Sequence, residues 1–249
     1  NTPYANLNLQ QAFDIQADWD KQNFSISAHC WQERQERQGQ LCINQANFVE
    51  QKASWDISLA DLDWASILQK LELEGPKIQT KSVLSFNSKG QWNEQSGPLA
   101  SVNMSLSPSA WTITQEQKVT LDLQDFAVNA KVTESKITAD INLSGKEIGE
   151  VGMQFNGSSA MLKQDLSQPI DGKLFLSGVN LASFKALVPE LETLQGIVKG
   201  DTKIAGTLTQ PLVYGELGLE NAAVKGEVLP VSLSEVQQKI VLDGQRANF

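Results

Sequence analysis

Apolar and polar residues alternate one by one along much of this chain, which is the period of a half-buried β-strand and not of a helix. The longest example runs from Val119 to Leu143, with a break at Asp125 and a polar turn at 133–136. Further along, Asn156-Gly157 is a strong hairpin signal. Short alternating runs joined by polar turns are typical of an antiparallel meander with one apolar face and one polar face.

The same alternation extends over most of the chain, although it is weaker before residue 119. It recurs at 24–26, 55–59, 102–106, 172–176, 202–208, 215–219, 223–228, 231–233 and 239–242. No linker rich in proline, glycine or serine divides these segments. We therefore expect an all-β, mostly antiparallel fold that forms a single segment over residues 1–249. Because the chain starts at Asn1 without an initiator Met, we interpret it as a piece of a longer protein.

Two short stretches, at 62–71 and 179–187, break the alternation and have helical spacing. Asp63 and Asn180 stand where an N-cap belongs. The apolar residues on one face of each stretch are Trp64, Ile67, Leu68 and Leu71 in the first, and Leu181, Phe184 and Leu187 in the second. Each stretch is followed by a strand, and this shared order favours an internal repeat with units of about 1–118 and 119–249.

The chain has two cysteines, Cys30 and Cys42, and the residues between them are mostly polar and include Gly39, as a hairpin tip would. On paired strands the two cysteines would be within disulfide distance, which would imply an oxidising compartment such as the periplasm. The alternative is a pair of reduced core cysteines. A metal site is disfavoured, because His29 is the sole histidine and a tetrahedral site needs four ligands.

Charge and composition argue against several classes of function. The net charge is −9 and no basic cluster is longer than two residues, which disfavours nucleic-acid binding and electrostatic docking to an anionic membrane. No apolar run is long enough for a transmembrane helix. A nucleophile elbow and a phosphate loop are both missing, and His29 is interpreted as a strand residue beside Cys30. We predict that the chain is not an enzyme and takes no cofactor.

Six tryptophans lie in the first half of the chain. Aromatic platforms can bind sugars or single-stranded nucleic acid, but no basic groove accompanies these side chains. Packing is the preferred interpretation, and a glycan- or solute-binding β protein stays as a minor alternative.

The stretch from Asp171 to Leu219 contains phrases that resemble the TamB family, the inner-membrane-anchored subunits of the translocation and assembly module. The phrases are LVPEL at 187–191, GDTKIAGTL at 200–208 and VYGEL at 213–217. Upstream, Cys30-Trp31, the run Gly39 to Cys42, and Trp55 resemble the cysteine-containing region of that family. The resemblance covers well under half of the chain by explicit motif, but both parts occur in the expected order.

The resemblance implies an elongated, curved β-sheet, taco-like in section, with a hydrophobic groove and two short amphipathic helices. It also implies a segment of a periplasm-spanning bridge that conducts phospholipids between the inner and outer membranes of a Gram-negative bacterium. An outer-membrane barrel protein similar to TamA would bind other parts of the full-length protein. The alternative function is a scaffold or chaperone for outer-membrane protein assembly, in which an open sheet edge receives a strand.

Apolar alternation alone is equally compatible with the closed core of a sandwich or barrel and with an open groove. The resemblance favours the groove. The residues expected to line it are Val119, Leu121, Leu123, Phe126, Val128, Val132, Ile137, Ile141, Leu143, Met153, Phe155, Leu174, Leu176, Ile204 and Leu208. Such a lining is uniform and aliphatic, because a path for acyl chains needs no specific polar group.

Overall fold

The computed structural model describes residues 7–33, 39–70, 77–114, 118–188, 190–226 and 232–248. Leu71, Pro189 and the predicted strand ends at Val228 and Val231 lie outside these ranges. Within them the chain forms one antiparallel sheet of eighteen strands. The prediction of an all-β, mostly antiparallel fold is therefore confirmed.

The strands are numbered in chain order. They are β1 (Leu7–Leu9), β2 (Ile15–Asp18), β3 (Asn23–Ile26), β4 (His29–Glu33), β5 (Gln40–Val49), β6 (Lys52–Asp63), β7 (Lys77–Thr80), β8 (Val83–Asn93), β9 (Gly97–Leu106), β10 (Ser109–Thr114), β11 (Lys118–Val132), β12 (Lys136–Gly145), β13 (Gly149–Ser158), β14 (Ile170–Asn180), β15 (Leu191–Gly206), β16 (Pro211–Gly226), β17 (Leu233–Gly244) and β18 (Arg246–Asn248). A short α-helix, α1 (Trp64–Lys70), follows β6, and 3-10 helices occupy Ser159–Lys163 and Leu181–Leu187.

Pairing follows the chain closely. From β11 to β18 each strand pairs with the next, and on the other side β11 continues through β9, β8, β6, β5 and β4 to β1. Two short branches extend this order, because β3 and β2 continue from one end of β5, while β10 and β7 continue from the first half of β11. Since β11 pairs on both sides, the sheet is continuous across position 119.

The sheet is open and exposes an unusually large surface. The accessible area of the chain is 15578 Å². A compact monomer of 27.3 kDa would expose about 10900 Å². The excess of roughly two fifths shows that most strands are not covered by a second layer. A closed sandwich or barrel, which the alternation alone left open, is not what the chain forms.

The largest cluster of buried apolar residues lies at the ends of several central strands, where β7 and β10 continue β8 and β9 past a bend. The buried residues of this core are Leu84, Leu106, Ile113, Leu121, Leu123 and Ile148. Trp64 and Ile67 of α1 and Phe184 of the second 3-10 helix pack against it. The side chain of Asn180 accepts a hydrogen bond from the backbone N–H of Ala182 at 3.0 Å and so caps that 3-10 helix.

The predicted hairpin at Asn156-Gly157 is wrong. Both residues lie inside β13, where Gly157 pairs with Ile137 on one side and Ile170 on the other. The chain turns later, through the 3-10 helix Ser159–Lys163. A Cβ on Gly157 would lie 2.8 Å from Met161 Sδ, so the glycine makes room for that helix.

Two other sequence features took a different form in the structure. The break at Asp125 is a register shift inside the continuous strand β11, between Leu123 and Asp125. The strand expected over 202–208 is the second half of β15, which begins earlier, at Leu191, and ends at Gly206. As a result Leu208 lies in the turn before β16.

Candidate functional site

The register of the strands aligns apolar residues in a single row that crosses thirteen strands. Directly paired residues of antiparallel strands point to the same face, so successive pairs define one line of side chains. We call it the apolar row: Leu9, Trp31, Leu41, Leu59, Phe86, Met104, Val128, Ile141, Met153, Leu174, Thr202, Gly215 and Leu242. Only Thr202 and Gly215 interrupt its apolar character.

The apolar row is neither a buried core nor a free surface. Leu9 is 43% exposed and Thr202 is buried, while the remaining side chains of the row are half-buried. A facing sheet would bury such a row almost completely, as in a sandwich. Neighbours on the same sheet therefore cover the flanks of these side chains, and among the described residues no facing sheet covers their tips.

The residues next in sequence to those of the apolar row point to the opposite face, where they form a second row. We call it the polar row: Cys30, Cys42, Ser58, Asn87, Asn103, Asn129, Asp140, Gln154, Lys173, Lys203, Tyr214, Asp243 and Arg246. Apart from the cysteine pair at its start, every member has a hydroxyl, an amide or a charge. The two faces are thus chemically unlike along the whole width of the sheet.

The register places fourteen of the fifteen predicted lining residues on the face of the apolar row. Val128, Ile141, Met153 and Leu174 belong to the row itself. The neighbouring positions on the same face are Val119, Leu121, Leu123, Phe126, Val132, Ile137, Leu143, Phe155, Leu176 and Ile204. Leu208 stands apart from this face, because it lies beyond β15 and is 48% exposed. That these side chains line a lipid path stays a prediction.

A cavity of about 340 Å³ adjoins the apolar row at the bend of the sheet. We call it the α1 cavity. Its lining is wholly apolar or aromatic: Trp64, Leu68, Ile78, Leu84, Met104, Leu106, Trp111, Leu121, Leu123, Phe126, Leu143 and Ile148. Of the predicted lining residues, Leu121, Leu123, Phe126 and Leu143 meet here.

The remaining eight residues were not predicted to line a groove, although the sequence placed Trp64 and Leu68 on the apolar face of a helix and Met104 and Leu106 in an alternating run. Ile78 and Trp111 come from the short strands β7 and β10, and Trp64 comes from α1. The bend that brings these segments together depends on contacts between distant parts of the chain.

Ser82 connects several parts of the wall of the α1 cavity through hydrogen bonds. Its side chain is fully buried, and its Oγ accepts the indole N–H of Trp111 at 2.9 Å while donating to the Ser107 carbonyl at 2.9 Å. The Ser82 carbonyl accepts the backbone N–H of Trp64 at 3.3 Å, at the first residue of α1. One serine thus links the wall of the cavity to the helix that covers it.

In the polar row, Cys30 and Cys42 form a disulfide between β4 and β5, as predicted. His29 beside them is 2% exposed and stacks on Phe13 with ring centroids 3.9 Å apart. Its Nδ1 lies 2.7 Å from the Ser27 carbonyl, which fixes this nitrogen as the donor, and Nε2 has no hydrogen-bond partner among the residues that the structure describes. The ring is packed within an aromatic cluster that also includes Trp31.

Ion pairs cross between strands on the opposite face. Lys199 pairs with Glu220 at 3.0 Å and Lys239 with Glu216 at 2.8 Å. Hydrogen bonds from Asn44 and Lys89 lower the pKa of Asp56, with Asn44 making the larger contribution. Both ion pairs are solvent-exposed, and pairs of this kind contribute little to stability, whereas Asp56 is half-buried. Among the described residues no three His, Cys, Asp or Glu side chains lie close enough to hold a metal ion.

Within the described part of the chain, no helix has the length and hydropathy needed to cross a membrane. Comparison with known families gives one match: the family described as TamB, N-terminal domain, matches residues 1–219. No solved structure matches the chain significantly.

Proposed function

Because the chain belongs to the TamB family, which is involved in outer-membrane assembly or lipid transport, we propose that it conducts phospholipids along the apolar row. In this proposal the chain is a non-catalytic segment of a bridge across the periplasm, between the inner and outer membranes. The anchor in the inner membrane and the contact with a TamA-like barrel belong to other parts of the full-length protein.

The observation that supports the proposal best is the continuity of the apolar row. An acyl chain gains about 0.8 kcal/mol for each CH₂ group removed from water, wherever along the row it lies. Because the row offers the same chemistry on successive strands, a lipid can move sideways without losing this gain. The half-buried state of the row leaves the side-chain tips available for contact with acyl chains. Together with the flanking residues on the same face, the row would form the floor of a hydrophobic groove.

The chemical difference between the two faces of the sheet also supports the proposal of a lipid path. A headgroup is charged and stays in water, and the polar row on the outer face keeps the back of the sheet hydrated. Acyl chains would therefore be held on one face only. No charged side chain stands in the apolar row, so none would oppose the passage of hydrocarbon.

Photo-crosslinking from neighbouring residues of one strand tests the proposal. A photoreactive amino acid at Ile141, in the apolar row, should form phospholipid adducts in cells that express the full-length protein. The same amino acid at Asp140, in the polar row, should form none. If neither position gives a phospholipid adduct, or both do equally, the apolar row is not the lipid path.

A second function, as a scaffold for outer-membrane proteins, is favoured by the edge of β17. One side of β17 pairs with β16. On its other side, among the described residues, β18 pairs only with Val241–Asp243, and no strand covers the edge from Leu233 to Ile240. Such an edge can receive an extended strand through backbone hydrogen bonds. A photoreactive residue at Gln237 would then capture a polypeptide instead of a lipid, whereas capture of neither argues against the scaffold.

A further inference from the structure

We propose that the α1 cavity binds the methyl end of a single acyl chain and that α1 is the lid of this site. The inference rests on the proposed function, since it takes the ligand to be a lipid on the apolar row. It adds a defined resting place for the end of one chain, at the bend of the sheet.

The chemistry of the lining selects hydrocarbon. None of its twelve side chains carries a charge, a hydroxyl, an amide or a carboxyl group. The indole N–H of Trp111 already donates to Ser82, so it is not available to a ligand. A buried water needs two to four polar partners, and this lining does not supply them. A headgroup or a free carboxylate would lose its hydration there without compensation.

The volume fits part of one chain and not a whole lipid. An apolar cavity of about 150 Å³ takes up benzene, which has six carbons. The α1 cavity is about 340 Å³. By that comparison it holds about fourteen carbons of a single chain. The remainder of the lipid, including its second chain and headgroup, must stay outside.

The cavity is continuous with the apolar row. Phe126 and Leu143 line the cavity and are a directly opposed pair of β11 and β12. The next pair on the same face, Val128 and Ile141, belongs to the row. Two residues along a strand span about 7 Å, which is a few carbon–carbon bonds of an acyl chain. A chain lying on the row therefore reaches the cavity by bending over Phe126.

α1 covers part of the cavity that the sheet leaves open. Trp64 and Leu68 are four residues apart, so they lie on one face of the helix and both contribute to the lining. The helix starts at the hydrogen bond from Trp64 N to the Ser82 carbonyl. Since Ser82 also holds Trp111, the lid and the opposite wall share one anchor. Two tryptophans next to the ligand also provide a fluorescence signal.

Brominated phospholipids test the site, because bromine quenches tryptophan fluorescence only at short range. The probes are two phosphatidylethanolamines, dibrominated near the methyl end or near the carboxyl end of one chain, added to the purified chain. We expect the methyl-end probe to quench at least threefold more than the carboxyl-end probe. That excess should disappear in the Trp64→Phe/Trp111→Phe double variant.

Filling the cavity gives the second readout. Leu121→Phe adds volume to the lining and should reduce the methyl-end excess at least fivefold, while Leu166→Phe, the same change at an exposed position, should leave it unaltered. If Leu121→Phe does not fold, as judged by circular dichroism, Leu143→Phe decides in its place.

The outcomes separate this inference from the proposed function. Equal quenching by both probes, or an excess that survives cavity filling, overturns the α1 site. If Ile141 still crosslinks to phospholipid in that case, the lipid path stands without the cavity. If neither probe quenches and Ile141 forms no adduct, both proposals fail together.

Discussion

Cys30 and Cys42 are directly opposed residues of β4 and β5, with their Cα atoms 4.1 Å apart. The disulfide fixes the register of this pair, and through it the position of Trp31 and Leu41 in the apolar row. The loop that it closes is short, so removing it should destabilise this end of the sheet by about 2–3 kcal/mol.

The measurement is hydrogen–deuterium exchange of the amides of β4 and β5 in the Cys30→Ser/Cys42→Ser variant. Local exchange is the suitable readout because an open sheet of this kind opens in parts. Reduction of the unmodified protein should accelerate the same amides, whereas β13 and β14, far from the disulfide along the sheet, serve as the internal control. Unchanged protection of β4 and β5 would mean that the strand pairing is fixed without the bond.

A charge placed in the apolar row should interrupt lipid binding without unfolding the sheet. Ile141→Lys puts an ammonium group among Val128 and Met153, where hydrocarbon would have to displace its water. We expect at least a tenfold decrease in co-purified phospholipid, which corresponds to about 1.4 kcal/mol or more.

The matched control for this experiment is Asp140→Lys, one residue away on the polar row. It changes the net charge in the same direction on the opposite face, and its lipid content should stay within twofold of the unmodified protein. Native mass spectrometry measures both. A loss of lipid in Asp140→Lys equal to that in Ile141→Lys would show that net charge, not the face, decides binding.

Gly215 cannot be replaced by alanine without strain. Its φ is +133°, and an added Cβ would lie 2.9 Å from Thr202 Cα and closer still to the Asp201 carbonyl oxygen. Gly215→Ala should therefore cost about 1–3 kcal/mol, because this backbone region is accessible almost only to glycine.

Gly218 provides the comparison within the same strand. The nearest atom to a Cβ there is the Lys199 carbonyl oxygen at 3.8 Å, which is an ordinary contact. Gly218→Ala should change stability by less than about 1 kcal/mol. Urea unfolding, monitored by hydrogen exchange of the β15 and β16 amides, distinguishes the two variants. Equal losses of stability in both variants would refute the strain argument.

Asp56 should titrate below the usual range of an aspartate. The side chain of Asn44 donates to Asp56 Oδ1 at 3.1 Å, and Lys89 lies 3.0 Å from Oδ2. Both interactions favour the ionised carboxylate and lower its pKa. A depressed pKa means that the carboxylate contributes stability above its unfolded pKa, and that this contribution is lost as the pH falls through the folded value.

Carboxyl-carbon NMR measures the titration directly. Asn44→Ala and Lys89→Gln should each raise the pKa of Asp56 towards its ordinary value, because each removes an interaction that lowers it. Asn44 is the extra residue at the register shift of β5, between Ile43 and Gln45. If the pKa is unmoved in Asn44→Ala, the bulge side chain does not engage Asp56 in solution.

Alternation predicted the sheet and its two faces well, because in a meander the register follows from short turns between neighbouring strands. Val128, Ile141, Met153 and Leu174 were each recognised from their own strand, and pairing then brought them into line. The same logic located the Cys30–Cys42 pair.

The α1 cavity could not be predicted in this way. It joins Trp64 of α1, Trp111 of β10 and Ile148 of the turn between β12 and β13, which lie far apart in the sequence. Their proximity depends on the bend that separates β7 from β8 and β9 from β10, and no local period encodes that bend. Asn156-Gly157 shows the opposite case, because local sequence predicted a turn that the structure does not form there. The dipeptide lies inside β13, where the missing side chain of Gly157 leaves room for Met161.

The apolar row runs across the strands, in the direction of their hydrogen bonds. Its length is therefore proportional to the number of strands. Thirteen strands spaced by about 4.8 Å give the row a reach of roughly 55–60 Å. Inserting or deleting one hairpin would change this reach by roughly 10 Å and would alter the pairing of only the flanking strands. The distance that such a molecule spans is therefore set by how many strands it has, and evolution can adjust that distance two strands at a time.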